Sequence, residues 1–345
     1  MLKLWKPLLI LLCFGACKNE IDIAAPWKET LVVYGLLDPG ASVNYIRIQK
    51  AFLDPDGNAY QFTQNSDSIY PEKLDVRLYV RENGGPIKDT IYPELVDGNL
   101  YGVRKDTGLF ASAPNYLYRI VDKIEDSRLS PNPQDFEYEL VVKNPKTGYT
   151  CSAKTYTTGF LEAMAPVSSN ATPITINDKA NTFLIYGYRE GRKVKAYDML
   201  IRFWYTESSI SNPGKTDTLS FNWVLFKNRL TESSLRGYEQ KISSIPGNIF
   251  YELLNSKIKA NPDIVRKGLY CDVEYYGAGQ DLYTYIEVNV PSIGIIQKKP
   301  EYTNISNGLG IFSSRYVTAL KKVPLSTDML QTLKKSDYTK GLNFN

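Results

Sequence analysis

Hydrophobic and polar residues alternate with a period of two along most of this chain, the pattern of strands with one buried face. Leu74, Val76, Leu78 and Val80 alternate with Asp75, Arg77, Tyr79 and Arg81, and the run ends in Asn83-Gly84-Gly85-Pro86, a turn. Phe136, Tyr138, Leu140 and Val142 alternate with Glu137, Glu139 and Lys143. After the turn residues Asn144-Pro145-Lys146-Thr147-Gly148, a second strand covers 149–156 and completes a hairpin. Residues 30–34 and 43–50 flank a further turn at Asp38-Pro39-Gly40. Short strands separated by turn signals predict an immunoglobulin-like β-sandwich over residues 27–158.

The alternation lapses between 157 and 176, where Pro, Ser, Asn and Thr accumulate, which predicts a domain boundary with a linker over 159–176. Strands resume at 182–188, 196–205 and 216–227, and in the last of these Leu219, Phe221, Trp223 and Leu225 oppose Ser220 and Asn222. Pro246, read as a first-turn residue, leads into a helix over 249–258, where Ile249, Phe250, Leu253, Leu254 and Ile258 recur at helical spacing. Residues 281–288 and 327–335 are further helix candidates, the second capped by Ser326 with Asp328 in its first turn. The fold class is therefore mainly β: an N-terminal sandwich, then a β-rich domain over 177–345 with a few packed helices.

The N-terminus follows other rules. Lys3 and Lys6 precede an apolar segment over 8–14 that ends in Gly15-Ala16, the architecture of a signal peptide over residues 1–16. Phe14-Gly15-Ala16-Cys17 resembles a bacterial lipobox, with Phe14 where that pattern prefers Leu. Cys17 would then be the first mature residue and the lipidation site, with 17–26 as a lipidated tether. Acyl chains gain about 0.8 kcal/mol per buried methylene, so a diacylated cysteine anchors firmly. The alternative is an ordinary secretory signal followed by an incidental cysteine. Lys18-Asn19-Glu20-Ile21-Asp22 is similar to the export signal of surface lipoproteins in Gram-negative bacteria of the Bacteroidota type. The address this implies is the outer membrane, lipid-anchored, at the cell surface or otherwise on the periplasmic face. No apolar run after residue 16 approaches the roughly 20 residues a spanning helix needs.

Composition then narrows the chemistry. The 41 basic and 37 acidic residues nearly balance and form no dense basic stripe, so nucleic-acid binding has little support. The absence of histidine removes the Ser-His-Asp triad, the Cys-His dyad, His-containing zinc sites and the HExxH helix. Carboxylate-pair hydrolysis, a Ser-Lys arrangement and oxygen-ligand calcium binding survive without a diagnostic motif. No cofactor, metal or catalytic residue is predicted. Cys151 and Cys271 are a disulfide candidate pair in an oxidising compartment. Each also shares the parity of apolar neighbours, which favours small core residues instead.

Four surface features have a functional reading beside a plainer one. Asn304-Ile305-Ser306-Asn307-Gly308-Leu309-Gly310 is either a loop that cradles a ligand or partner through Asn304, Asn307, Gly308 and Gly310, or a tight corner before a strand. Asp54-Pro55-Asp56-Gly57-Asn58 resembles the start of a calcium loop, but Ala59 and Asn65 stand where Gly and the bidentate Glu belong, so a surface turn is favoured. Glu137 and Glu139 share an outward face, which suits solvation better than acid-base work in a cleft. The 26 tyrosines include clusters at Phe203-Trp204-Tyr205, Tyr275-Tyr276, Tyr283 and Tyr285 that suit sugar rings or partner contacts, although tyrosine is also a good strand residue.

The lipoprotein start, LVVYGLLDPGASVNYIRIQKAFL from Leu31 to Leu53, and PEYTNISNGLGIFSSR from Pro300 to Arg315 together resemble a family of uncharacterised Bacteroidota outer-membrane lipoproteins, domain of unknown function 4249. The resemblance implies a lipoprotein often encoded beside TonB-dependent outer-membrane receptors, and it implies no reaction, cofactor or substrate. The expected function is a non-catalytic accessory or partner-binding component of such a receptor system. Capture of a glycan or peptide by the second domain is the alternative, and a carboxylate-based hydrolase ranks below both.

Overall fold

A computed structural model describes residues 29–51, 63–106, 108–128, 132–179, 181–212, 214–231, 237–289 and 301–345. The predicted signal peptide 1–16, the predicted lipidation site Cys17, the predicted tether 17–26 and the expected turn at 54–58 lie outside the described residues.

The first lobe contains β1 (Leu31–Leu37), β2 (Asn44–Lys50), β3 (Asp75–Glu82), β4 (Ile87–Ile91), β5 (Glu94–Asp97), β6 (Tyr116–Ile120), β7 (Phe136–Lys143) and β8 (Thr150–Tyr156). The order β1-β2-β6-β5 faces the order β4-β3-β7-β8. With strands lettered in sequence, these are the ABED and C′CFG sheets of an immunoglobulin-like sandwich. Period-two patterning selects the buried face: Phe136, Tyr138, Leu140 and Val142 point into the core, while Glu137 and Glu139 stay on the outer face. Each of those apolar side chains contributes about 1.5–3 kcal/mol by leaving water. The β3–β4 turn places Asn83 and Gly84 at positive φ, the backbone a tight hairpin requires.

The second lobe contains β9 (Glu162–Ala165), β10 (Phe183–Arg189), β11 (Ala196–Ser209), β12 (Thr216–Leu230), β13 (Gln240–Pro246), β14 (Ile264–Ala278) and β15 (Leu309–Pro324). Sheet β13-β10-β9 and the helices Asn248–Lys257 and Thr327–Lys335 cover the inner face of β11, β12, β14 and β15. Ser326 caps the second helix by accepting from the Met329 N–H at 3.1 Å, as its sequence predicts. Pro246 differs from expectation: it ends β13 opposite Phe183, and the helix starts after Gly247. A residue without an N–H is tolerated on an edge strand. A Cβ on Gly247 would sit 2.1 Å from the Asn177 carbonyl oxygen, so the chain turns there.

The predicted linker is partly structured. Within 159–176, β9 pairs with β10, and Leu161, Ala163, Val167, Ile174 and Ile176 enter the second core. Only four residues alternate there, too short a run to outweigh the flanking turn residues in the sequence.

One sheet joins the lobes. Its order is β12-β11-β14-β15-β1-β2-β6-β5, with the first half of β15 parallel to β1 and the second half antiparallel to β14. Phe312 and Ile305 therefore belong to the core of the first lobe, although both lie inside the predicted 177–345 domain. A seam of hydroxyls closes the joint. The Thr158 N–H donates to Ser314 Oγ at 2.9 Å, Ser314 Oγ donates to the Leu37 carbonyl at 2.9 Å, and Ser127 Oγ meets Thr157 Oγ1 at 3.3 Å. Arg192 and Lys193 of the second lobe hold Asp135 of the first at 2.5 and 2.9 Å.

Candidate functional site

The 304–310 segment spends its polar groups on the fold. Ser306 bridges to Ser152 of β8, and three residues later Leu309 pairs with Val32 of β1, so the corner steps from one sheet of the sandwich to the other. Asn304 clamps it, donating through Nδ2 to the Phe312 carbonyl at 2.7 Å and accepting the Phe312 N–H at 2.9 Å. Asn307 Nδ2 donates to the Thr150 carbonyl at 2.8 Å, and the Tyr149 hydroxyl donates to the Asn307 carbonyl. A Cβ on Gly308 would lie 2.8 Å from Ile305 Cγ2. Gly310, at φ +104°, leaves room for the Val33 carbonyl, which a Cβ would approach to 2.0 Å.

Cys151 and Cys271 are free thiols, one in each hydrophobic core, so the candidate disulfide does not form between them. Their inward parity explains this, since each packs among its own strand's neighbours in a different lobe. Burial pushes the Cys151 thiol up to about 11 and Cys271 higher still. Both are inert at neutral pH.

The tyrosine clusters divide by face. Phe203, Tyr205 and Tyr275 are core residues, and the Tyr275 hydroxyl donates to the Gly187 carbonyl at 3.1 Å. Trp204 and Tyr276 lie on the outer face over two carboxylates of β14. Trp204 Nε1 donates to Asp272 at 2.9 Å and the Tyr276 hydroxyl donates to Glu274. Lys321 also contacts both carboxylates, and Arg202 lies 3.8 Å from Glu274. Burial raises the Glu274 pKa, but the bonds from Lys321 and Tyr276 outweigh it and hold the group below its ordinary value. A carboxylate fixed in its ionised form by two cations is a structural brace; a general acid needs the opposite shift. Glu137 and Glu139 are likewise engaged across strands, by Lys154 at 3.4 Å and by Arg81 at 2.6 Å. Asn65 caps the single helical turn Ser66–Ile69. Among the described residues no three His, Cys, Asp or Glu side chains converge as a metal site.

An open feature lies on the outer face of the shared sheet. A cleft of about 440 Å³ runs along β1 and β2 beneath the Gln280–Asn289 helix. Its floor carries Tyr34, Leu36, Tyr45 and Arg47, its helical wall Leu282 and Tyr285, and its other wall Val103 and Leu117. The helix is fixed at its start, where Ser313 Oγ accepts the Leu282 N–H at 3.1 Å and the Tyr302 hydroxyl donates to Asp281 at 2.7 Å. None of the helix's own residues is buried.

The two ends of the cleft differ in charge. At one end Asp38, 5% exposed, accepts the Gly40 N–H at 3.0 Å and faces Arg315 at 3.6 Å. Burial raises its pKa, opposed by the Gly40 bond and the Arg315 charge. At the other end Arg47 donates to Oδ1 of the fully buried Asn115 at 3.1 Å. The Asn115 amide is itself fixed by the Val103 carbonyl at 2.7 Å, so the guanidinium is aimed by a rigid partner. Among the described residues Arg47 has no carboxylate within ion-pair distance. Lys105 lies near enough for the Arg47 charge to add to burial in lowering its pKa.

Sequence reading did not select this cleft. One signal was present: β1 is apolar on both faces, with Val32 and Leu36 as well as Leu31, Val33 and Leu37, as a strand covered on both sides should be. No protein-family model matches this chain, and no curated protein matches it.

Proposed function

We propose that this chain is a non-catalytic lipoprotein, anchored through Cys17 in the outer membrane, whose body binds a partner, a TonB-dependent receptor. The observation that carries the reading is the Phe14-Gly15-Ala16-Cys17 sequence, placed twelve residues ahead of Glu29, where the described body begins. The kinship with domain of unknown function 4249 belongs to the same proposal. No helix among the described residues is long and apolar enough to cross a membrane. Asp272 and Glu274 are consumed by contacts with Trp204, Tyr276 and Lys321, which supports a binding role over a catalytic one.

The entry of the chain into the fold would set the geometry of such an anchor. The Leu31 N–H donates to the Tyr149 hydroxyl at 3.3 Å, and Asn144 Nδ2 donates to Glu29 at 2.6 Å, so the chain enters at the pole formed by the β7–β8 turn. The second lobe lies beyond the opposite pole, along β15. The intervening segment from Cys17 spans at most about 40 Å when extended. A lipid on Cys17 would hold the sandwich next to the membrane and direct the second lobe away from it. Cys17→Ala should move the protein from washed outer membranes to the soluble fraction, and undiminished membrane association would defeat the anchor. The alternative, capture of a glycan or peptide, draws its support from the cleft beneath the Gln280–Asn289 helix.

A further inference from the structure

The cleft between β1–β2 and the Gln280–Asn289 helix has the attributes of a small-molecule site. Its volume of about 440 Å³ falls within the range of ligand pockets. Tyr34, Tyr45 and Tyr285 line it, side chains that combine an apolar ring with a polar rim. Tyr34 on the floor and Tyr285 on the helix face the same cleft.

Its charges say what kind of molecule fits. Asp38 and Arg315 neutralise one another at one end. Arg47 stands four β1 positions away, opposite Tyr34 in the β1–β2 register, a separation of about 13 Å at strand spacing. Its guanidinium is half-buried, oriented by a buried amide and unmatched by any described carboxylate. A planar guanidinium in that setting favours a carboxylate, which it binds through two parallel hydrogen bonds. A free amino acid or other zwitterion fits poorly, because Asp38, the carboxylate of this lining, already has its cation.

We infer that this cleft binds a saccharide bearing a carboxylate, with the acid group on Arg47 and the sugar rings against Tyr34, Tyr45 and Tyr285. This assignment draws on neither the lipid anchor nor receptor binding, so it stands or falls separately from them.

The test is calorimetric titration of the full-length protein in detergent with three probes: a galacturonic acid trisaccharide, its carboxyl-reduced neutral counterpart, and a short peptide with an acidic C-terminus. The acidic trisaccharide should bind saturably and at least about tenfold more tightly than the neutral one, the difference a charge-assisted hydrogen-bond pair supplies. Arg47→Gln should erase that preference. Tyr285→Ala, on a helix with no buried residue, should weaken both sugars alike and leave the thermal midpoint unchanged, which separates loss of stacking from loss of fold. Equal affinity for the two sugars, no binding of either, tighter binding of the peptide, or a preference that survives in a folded Arg47→Gln protein would each overturn the assignment.

Discussion

Asn304 holds the corner through two bonds to one residue, the buried Phe312. Its side chain cannot be replaced by water, because the Phe312 backbone is enclosed in the sandwich core. Asn304→Ala should therefore cost roughly 2–3 kcal/mol in denaturant unfolding. Gly310 makes a stronger demand. A methyl group there meets the Val33 carbonyl at 2.0 Å on a backbone at φ +104°, and a carbonyl in a sheet has nowhere to move. Gly310→Ala should cost more than about 3 kcal/mol, whereas Gly341→Ala, with nothing within 4 Å of its Cβ, should stay within about 0.5 kcal/mol. A similar loss at both positions would contradict the steric account.

Glu274 connects a residue to pH. Its folded pKa lies below the ordinary 4.5, so the ionised form is the one folding favours. That contribution is complete above about pH 4.5 and is lost as the pH falls through the lower folded value. Glu274→Gln should flatten the decline of Tm between about pH 5 and pH 3. An unaltered acid limb would mean that the Lys321 and Arg202 contacts contribute nothing measurable.

At the scale of elements, local signals were legible and long-range pairings were not. The β7–β8 hairpin and the Ser326-capped helix each depend on residues within a few positions of one another, and both form where the sequence places them. The parallel pairing of β15 with β1 joins residues nearly the whole chain apart, and alternation within one strand says nothing about its neighbour. The corner at 304–310 was ambiguous for the same reason, since its bonds go to β1 and β8. The cleft was hidden too, because it assembles from β1, β2, the 98–106 loop and a helix far along the chain. Ser314 shows what those pairings demand. Its hydroxyl accepts from Thr158 N–H, meets Thr158 Oγ1 at 3.1 Å and donates to Leu37. Ser314→Ala leaves the buried Thr158 N–H and the Leu37 carbonyl without this partner and should lower stability by about 2–3 kcal/mol, measured by denaturant titration.

For the whole molecule, the shared sheet predicts joint behaviour. The first lobe takes Ile305, Phe312 and the start of β15 from the C-terminal part of the chain. A fragment ending at residue 176 would lack them and expose the β1 edge, so it should show no native near-ultraviolet circular dichroism. The full chain should unfold in one calorimetric transition, and two separated transitions would mean the seam does not couple the lobes. Confinement by a lipid would raise the local concentration of such a rigid body beside a membrane receptor, so that a modest interface suffices.

The direct test of the proposed receptor-binding role is a tagged pull-down from detergent-solubilised outer membranes, with the full-length protein as bait and quantitative mass spectrometry as readout. Stoichiometric recovery of a TonB-dependent receptor is the predicted result. Recovery of the bait alone, in a preparation where a known receptor complex survives, would contradict it.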